Sequence, residues 1–206
     1  NLLFAYGQYR IGGYAIDALA GHGNSTWESE RGDPLGVSST PFKTRQDGHN
    51  TLAGVGVRKA IDMNGLVFEP YVRTLFQKTS RGGASEGSAS PAALTLADYS
   101  ATGNRTSVGV AVGSIRKDPL VAAYTYQVDV GVGQDRGNAF RPTVQATLAD
   151  TDFNIKAPQI GHTFGQVGVS GTARMANQSY LYYGLNGEAR SGKTEFGGNV
   201  GIRVAF

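Results

Sequence analysis

The chain has 206 residues, of which 17% are charged, and a net charge of +3. It contains no cysteine, which excludes a disulfide framework, thiolate metal sites and a cysteine nucleophile, and its 19 basic residues form no cluster of the kind that binds nucleic acid. A mean hydropathy of −0.25 predicts no transmembrane helix, but strands that alternate apolar and polar residues can cross a membrane at such a value.

Apolar and polar residues alternate with a period of two along most of the chain, which predicts strands rather than helices. In chain order, the predicted strands cover residues 1–10, 13–23, 50–61, 66–79, 104–116, 120–134, 160–174, 178–188 and 195–206. Most are close in length to the roughly 9 to 11 residues that a tilted strand needs to cross a bilayer.

The predicted connections alternate between short and long. Short turns are expected at 10–13, 62–65, 117–119 and 176–178, long polar loops at 24–49, 80–103 and 135–159, and a shorter loop at 189–194. Within the third loop, 143–148 and 153–156 predict a hairpin that extends above the membrane. Tight periplasmic turns and long extracellular loops are typical of outer-membrane proteins, so we predict an all-β, antiparallel up-and-down transmembrane barrel.

The strand count predicts a barrel domain over 1–206 that is incomplete at its N-terminus. Nine strands would put the first residue outside the cell, whereas bacterial single-chain barrels have an even number of strands and both ends in the periplasm. We therefore expect further strands upstream, for a total of about twelve. Since an open sheet would expose unpaired edges to lipid, the stretch 1–206 is not expected to form a stable barrel alone.

The last predicted strand ends in an aromatic residue, with apolar residues at every second position before it. These residues are Val200, Ile202, Val204 and Phe206. The pattern resembles the C-terminal strand that the barrel-assembly machinery recognises in outer-membrane proteins. An exposed edge strand can pair by β-augmentation while its terminal aromatic side chain anchors in a pocket.

Three stretches resemble the autotransporter β-domain. They are the hairpin LFAYGQYRIGGYAIDALAGHG at Leu3–Gly23, the strand FEPYVRTLF at Phe68–Phe76, and the closing SYLYYGLNGEA…GGNVGIRVAF at Ser179–Phe206. The hairpin departs from the family's usual pattern at Ala18, where glycine is common, and at His22, where an aromatic residue is common.

The resemblance implies twelve strands around a linker helix that leads to an N-terminal passenger. The expected function is type V secretion, in which the barrel anchors in the outer membrane of a Gram-negative bacterium and exports its own passenger. The implied partners are outer-membrane lipid, the barrel-assembly machinery, the passenger and the linker helix; the expected state is a monomer without cofactor or metal. The barrel itself is not expected to be an enzyme, although an absent passenger of this family can be an esterase or a protease.

Polar and ionisable residues on the second face of the strands predict a wetted lumen. The expected lumen-facing residues are Asp17, Arg58, Glu69, Tyr71, Arg73, Gln127, Asp129, Arg174 and Arg203. Some members of the resembled family cleave their own linker with lumen carboxylates, which makes Glu69, Asp129 and Glu188 the candidates for that reaction here. Glycines on the same face are expected to make room for a lumen helix, and aromatic residues near strand ends to form interfacial girdles. The girdle residues are Tyr14, Phe76, Tyr124, Tyr126, Tyr180, Tyr183, Phe196 and Phe206.

Other motifs and function classes stay open on the sequence alone. The stretch Gly187–Thr194 matches a phosphate-binding loop, but no room remains for the helix that such a loop needs. His22 and His49 are expected to face each other at one loop base, without metal-ligand spacing. The alternatives are an outer-membrane protease or lipase barrel using His22, His49 and Asp47, a passive porin-like channel, and a soluble β-sandwich adhesin.

Overall fold

The computed structural model describes residues 1–33, 36, 41–86, 92–114, 123–157, 160–175 and 179–204. These residues form strands and one short 3-10 turn at Asn138–Phe140. The strands are β1 (Leu2–Ile11), β2 (Tyr14–Arg31), β3 (Phe42–Lys59), β4 (Ile61–Met63), β5 (Leu66–Arg81), β6 (Ala84–Ser85), β7 (Leu94–Leu96), β8 (Tyr99–Gly113), β9 (Tyr124–Arg136), β10 (Thr143–Leu148), β11 (Thr151–Lys156), β12 (Thr163–Arg174), β13 (Ser179–Arg190) and β14 (Lys193–Val204). No helix among the described residues is long and apolar enough to span a bilayer.

The long strands form one antiparallel main sheet in the order β1-β2-β3-β5-β8-β9-β12-β13-β14, with β4 paired to β5. Each long strand therefore pairs with the next long strand along the chain, as in an up-and-down barrel, and the predicted nine strands are confirmed. In the described part of the chain, β1 and β14 each pair on one side only, so the sheet is open.

A second, smaller sheet has the order β11-β10-β7-β6 and is built from the connections that follow β5 and β9. Its central hairpin pairs Thr143 with Lys156 and Leu148 with Thr151, which confirms the hairpin predicted in the third loop. The hairpin turns through Ala149 and Asp150, whose φ angles are 47° and 62°. Both residues are thus in the left-handed region, which is costly for an alanine.

Two of the predicted tight turns are observed at one end of the main sheet. Gly12 and Gly13 have φ angles of 54° and 83°, and Asn64 and Gly65 have 48° and 86°. Two central residues with positive φ suit the right-handed twist of the strands that such a turn joins. The turns predicted at 117–119 and 176–178 lie outside the described residues.

The predicted loop boundaries are wrong at the opposite end of the sheet. β2 and β3 stay paired through Arg31 and Phe42, so most of 24–49 is a two-stranded ribbon rather than a loop. β5 and β8 similarly stay paired to Arg81 and Tyr99 within 80–103. Alternation ends where both faces become polar, but backbone pairing continues, held by cross-strand pairs such as Glu30–Lys43 at 3.3 Å.

The predicted loop at 189–194 is a second wrong boundary. β13 runs to Arg190 and β14 starts at Lys193, which leaves only Ser191 and Gly192 between the two strands. The stretch that matches a phosphate-binding loop is therefore a β-hairpin without a following helix.

In the main sheet, apolar side chains are exposed on one face and polar side chains are buried on the other, which is the reverse of a soluble protein. Val130 and Val132 are 53% and 57% exposed, whereas Thr125 and Asp135 on the opposite face are 2% and 1% exposed. A large contiguous apolar surface on a folded protein marks contact with a membrane or a partner. Below, the two surfaces are called the apolar face and the polar face.

Candidate functional site on the polar face

The strand register places all the residues predicted to face a lumen on the polar face. Residues directly opposite each other in antiparallel strands share a face, as do residues two apart along a strand. Arg58 is opposite Tyr71, and Glu69 and Asp129 are both opposite Ala111. The same rule places the remaining residues on this face, namely Asp17, Arg73, Gln127, Arg174 and Arg203.

Tyr71 lies at the centre of a hydrogen-bonded group on the polar face. Its hydroxyl donates to Asp129 Oδ1 at 3.0 Å and accepts from Gln166 Nε2 at 2.8 Å. The side chain crosses Gly109 and Gly131, where an added Cβ would lie 2.4 Å and 2.7 Å from the tyrosine oxygen. Glycine at these two positions therefore leaves room for Tyr71, a role that the sequence did not reveal.

A cluster of four charged residues lies near the β13–β14 turn. We call Arg105, Asp135, Glu188 and Arg190 the rim cluster. Asp135 Oδ2 accepts from Arg105 Nη2 and from Arg190 Nη1, both at 2.7 Å. Glu188 accepts from Arg105 Nη1 at 2.9 Å and also pairs with Arg190.

The rim cluster encloses a buried aromatic ring. Phe164, on β12, has the guanidinium of Arg105 4.5 Å from its centroid and that of Arg190 5.1 Å from it. Each buried charge has an opposite charge and further hydrogen bonds, which is the condition for tolerating charges away from water. The cluster ties β8, β9 and β13 together across β12.

The three carboxylates proposed for linker cleavage lie in separate contacts. Glu69 is 4.0 Å from Arg58, which also lies 3.6 Å from Asp17. Asp129 is bonded to Tyr71, whereas Glu188 belongs to the rim cluster. The structure thus places Glu69 and Asp129 in one cross-strand row and Glu188 apart from them.

An apolar patch interrupts the polar face on the first strands of the sheet. Tyr6, Leu19, Gly54 and Leu75 stand opposite one another on four adjacent strands. They line a cavity of about 570 Å³ together with the charged residues Arg58 and Arg73. The sequence analysis did not predict this patch, although Leu19 and Leu75 break the alternation of their strands.

The ribbon formed by β2 and β3 carries its own contacts. The rings of His22 and His49 stack with centroids 6.1 Å apart, so the predicted proximity is confirmed. Arg31 pairs with Glu86, and this hydrogen bond raises the pKa of the arginine above its ordinary value. The described residues contain no group of three or more side chains suited to a metal ion.

The C-terminal strand carries its predicted apolar residues on the apolar face. Val200, Ile202 and Val204 are all exposed, Val200 by 72%. Phe206 lies outside the described residues. The prediction that Tyr180 belongs to the aromatic girdle is wrong. Tyr180 is buried on the polar face, opposite Arg174 and Arg203, because alternate residues of β13 point to that face.

A family model for the autotransporter β-domain matches residues 2–186. The chain belongs to the autotransporter β-domain family. No curated protein matches it in sequence. The open sheet is accordingly part of an outer-membrane β-barrel of a Gram-negative bacterium, with the apolar face towards lipid.

Two solved autotransporter domains share the fold at low sequence identity. The translocator domain of NalP from Neisseria meningitidis superposes with a TM-score of 0.72 at 14% identity, over 98% of this chain and 65% of that chain. The β domain of the Bordetella autotransporter BrkA gives a TM-score of 0.52 at 15% identity, over 100% of this chain and 72% of that chain. This chain therefore spans about 65% of the length of the NalP domain.

Proposed function

We propose that the chain is the larger part of a translocator barrel, which anchors in the outer membrane and exports its own N-terminal passenger. The observation that carries the proposal is the inverted sheet in a chain of the autotransporter family. An apolar face suits lipid, and a polar face suits the wall of a water-filled passage for a polypeptide. The tight turns lie on the periplasmic side and the ribbon and small sheet outside the cell.

Closure of the barrel requires strands beyond this sequence. Unpaired backbone groups of β1 and β14 would each cost several kcal/mol in hydrocarbon, so both edges need a partner. We propose that further strands bridge β1 and β14, giving about twelve in all.

The apolar patch is the proposed seat of the linker helix. A helix with side chains is roughly 10 Å wide, and an amphipathic helix presents one apolar stripe. Leu19 and Leu75 offer a matching apolar surface, and the glycine at Gly54 lets a helix approach the wall closely. The charged residues Arg58 and Arg73 beside the patch suit the polar flanks of the same helix.

The proposed partners follow from the surfaces described. Val200, Ile202, Val204 and Phe206 are proposed to pair with the barrel-assembly machinery during insertion. We propose a monomer, since one chain closes the barrel once its further strands are present. The hydrolase alternative is less well supported, because His22 and His49 contact Thr51 and Asn24 rather than an acid.

Export is tested with the full-length protein, carrying an epitope in the passenger, in a Gram-negative host. Intact cells are treated with protease and the epitope is followed on blots. Wild-type cells should lose the epitope, while cells with β13 and β14 deleted should keep it in the periplasm. A passenger that reaches the surface of cells without these strands overturns the proposal.

Closure is tested by gel migration after refolding in detergent, with the 206-residue chain compared with one extended upstream by roughly three strands. Only the extended chain should show a faster unboiled band. Equal shifts in both chains would mean that β1 and β14 close on each other.

A further inference from the structure

The apolar face has a clear upper boundary on β2, β3 and β5. On β2, the outward residues Tyr14, Ile16, Ala18 and Ala20 are followed by His22, the ninth residue counted from Tyr14. On β5, the exposed Phe76 is followed by Lys78 two positions later. Because about 9 to 11 residues of a tilted strand cross the bilayer, this boundary falls at the headgroups of the outer leaflet.

Three basic side chains lie along that boundary, and we call His22, His49 and Lys78 the basic row. The register aligns His22, Thr51 and Lys78 across adjacent strands, and places His49 on the same face opposite Asn24. The two imidazole rings stack with an interplanar angle of 12°.

Hydrogen bonds fix the orientation of both rings. His22 Nδ1 lies 2.9 Å from Thr51 Oγ1, and His49 Nδ1 lies 2.8 Å from Asn24 Oδ1. Within the described residues, the Nε2 atoms of both rings have no hydrogen-bond partner and Lys78 has no ion pair. The ammonium of Lys78 and the Nε2 atoms of both rings thus lie on one exposed surface, where a group from outside the protein can reach them.

The acidic residues nearest to the basic row are already occupied. Farther from the membrane on β2 and β3, Glu28 pairs with Arg45 at 3.5 Å and Glu30 with Lys43 at 3.3 Å. Asp47 accepts from Thr26 at 2.6 Å. Asp47 also lies 3.9 Å from Arg45, so all three carboxylates have partners within the ribbon, and none of them is paired with Lys78 among the described residues.

The surface below the basic row is shaped for an acyl chain. Ala20, Ala53 and Phe76 stand opposite one another on β2, β3 and β5, and Leu3 of β1 stands opposite His22. Ala5, Ala20 and Ala53 form a shallow apolar floor across three strands, with the larger side chain of Phe76 at its end. Apolar contact below and the ammonium of Lys78 above, which has no ion pair among the described residues, match the two ends of a membrane lipid.

We propose that the basic row is a binding site for a phosphate-bearing glycolipid of the outer leaflet. The ammonium of Lys78 holds the phosphate, the Nε2 edges of His22 and His49 contact it when these nitrogens carry a proton, and an acyl chain lies over Ala20 and Ala53. A free phosphate ion would contact the basic row but not the apolar surface of Ala20 and Ala53. We therefore propose a lipid as the occupant.

The test measures lipid binding to the full-length protein purified from outer membranes in mild detergent. The probes are lipid A with its phosphates, lipid A without phosphates, and inorganic phosphate as a competitor. Variants are Lys78→Gln and the triple His22→Gln, His49→Gln, Lys78→Gln. The control is Lys59→Gln, because Lys59 lies opposite Tyr14 at the other edge of the apolar belt.

Each lysine or arginine near an anionic membrane surface contributes about fivefold to binding. Lys78→Gln should thus bind phosphorylated lipid A about fivefold more weakly, the triple variant more than tenfold, and Lys59→Gln like the wild type. An unchanged heat-shift on gels verifies that each variant is folded.

Three results would overturn the proposal. They are equal affinity of the wild type and Lys78→Gln, equal binding of lipid A with and without phosphates, and an equal loss in Lys59→Gln. Displacement of the lipid by millimolar inorganic phosphate would assign the basic row to free phosphate instead. None of these results bears on export, since the passenger is not measured.

Discussion

One cross-strand row of the polar face contains two opposite chemistries. It starts at Tyr6, Leu19, Gly54 and Leu75, and continues directly into Arg105 and the neighbouring Asp135. At the charged end, each buried charge has partners within the sheet. At the apolar end, the leucines line an open cavity, and Leu19 remains 38% exposed.

The two ends of the row therefore differ in role. The rim cluster stabilises the sheet, whereas the apolar patch is a surface for a binding partner. A buried ion cluster becomes costly once one member is lost, so the rim cluster has a structural role. Apolar surface in a wet lumen forgoes stabilisation of roughly 25 cal/mol for each Å² left exposed. The apolar end is therefore expected to be covered, in the proposed function by the linker helix.

Removal of Asp135 should disrupt the rim cluster and cause the largest loss of barrel stability among these predictions. Asp135→Ala leaves the guanidiniums of Arg105 and Arg190 without their shared carboxylate, at a cost of about 3 to 5 kcal/mol in barrel stability. The measurement is urea unfolding of the full-length barrel in detergent. Glu195→Gln is the control, since its pair with Lys193 is exposed and should contribute little. Equal losses in the two variants would contradict the structural role of the cluster.

Filling the space beside Tyr71 should have the next largest effect. Gly109→Ala puts a Cβ 2.4 Å from the tyrosine oxygen, and the forced shift should cost about 1 to 3 kcal/mol. Gly165→Ala is the matched control, because nothing lies within 4 Å of its added Cβ. Both are compared by the temperature at which the compact band disappears from gels. A Gly109→Ala barrel as stable as the control would mean that both Tyr71 and the carbonyl of Val130, which is 2.5 Å from the added Cβ, shift at little cost.

A polar residue at the apolar end should loosen the linker helix and leave the barrel intact. Leu19→Asn should weaken docking of the helix by about 1 to 2 kcal/mol, since a leucine contact is lost. We expect higher pore conductance of the full-length protein in planar bilayers and unchanged urea unfolding. Gln127→Asn, on the polar face away from the patch, should alter neither quantity. Unaltered conductance in Leu19→Asn would place the helix elsewhere.

The smallest effect is expected in the small sheet, outside both ends of the row. Replacing Ala149 and Asp150 by Asn and Gly supplies residues that adopt positive φ readily. The hairpin β10–β11 should gain about 0.5 to 1 kcal/mol, seen as slower amide exchange in these strands. Amide exchange in β8 and β9 serves as the internal reference and should not change.

The sequence predicted the faces of the strands better than their ends. Alternation assigns Glu69, Asp129 and Arg203 to one face because the side-chain period of a strand is two. It fails beyond His22, where most side chains on both faces of the ribbon are polar although the strands stay paired. Apolar and polar residues alternate where one face of a strand contacts lipid, and the ribbon has no such contact.

The contacts of the site were less predictable than its residues. Arg105 and Glu188 are 83 positions apart, and no local pattern links them. Tyr71 needs glycines on two other strands, so their purpose emerges only with the register. The apolar patch was visible in principle, because Leu19 and Leu75 are apolar at inward positions.

In the proposed orientation, the unequal connections of the sheet would give the cell surface an uneven profile. The β2–β3 ribbon and the small sheet project on one side of the barrel, whereas β13 and β14 meet across Ser191 and Gly192 alone. Antibodies raised against whole bacteria would accordingly recognise the first side and find almost no epitope above the last hairpin. A phage or host receptor that binds this protein would contact the same protruding segments. Substitutions that escape such binding would therefore be selected in the ribbon and in the β10–β11 hairpin.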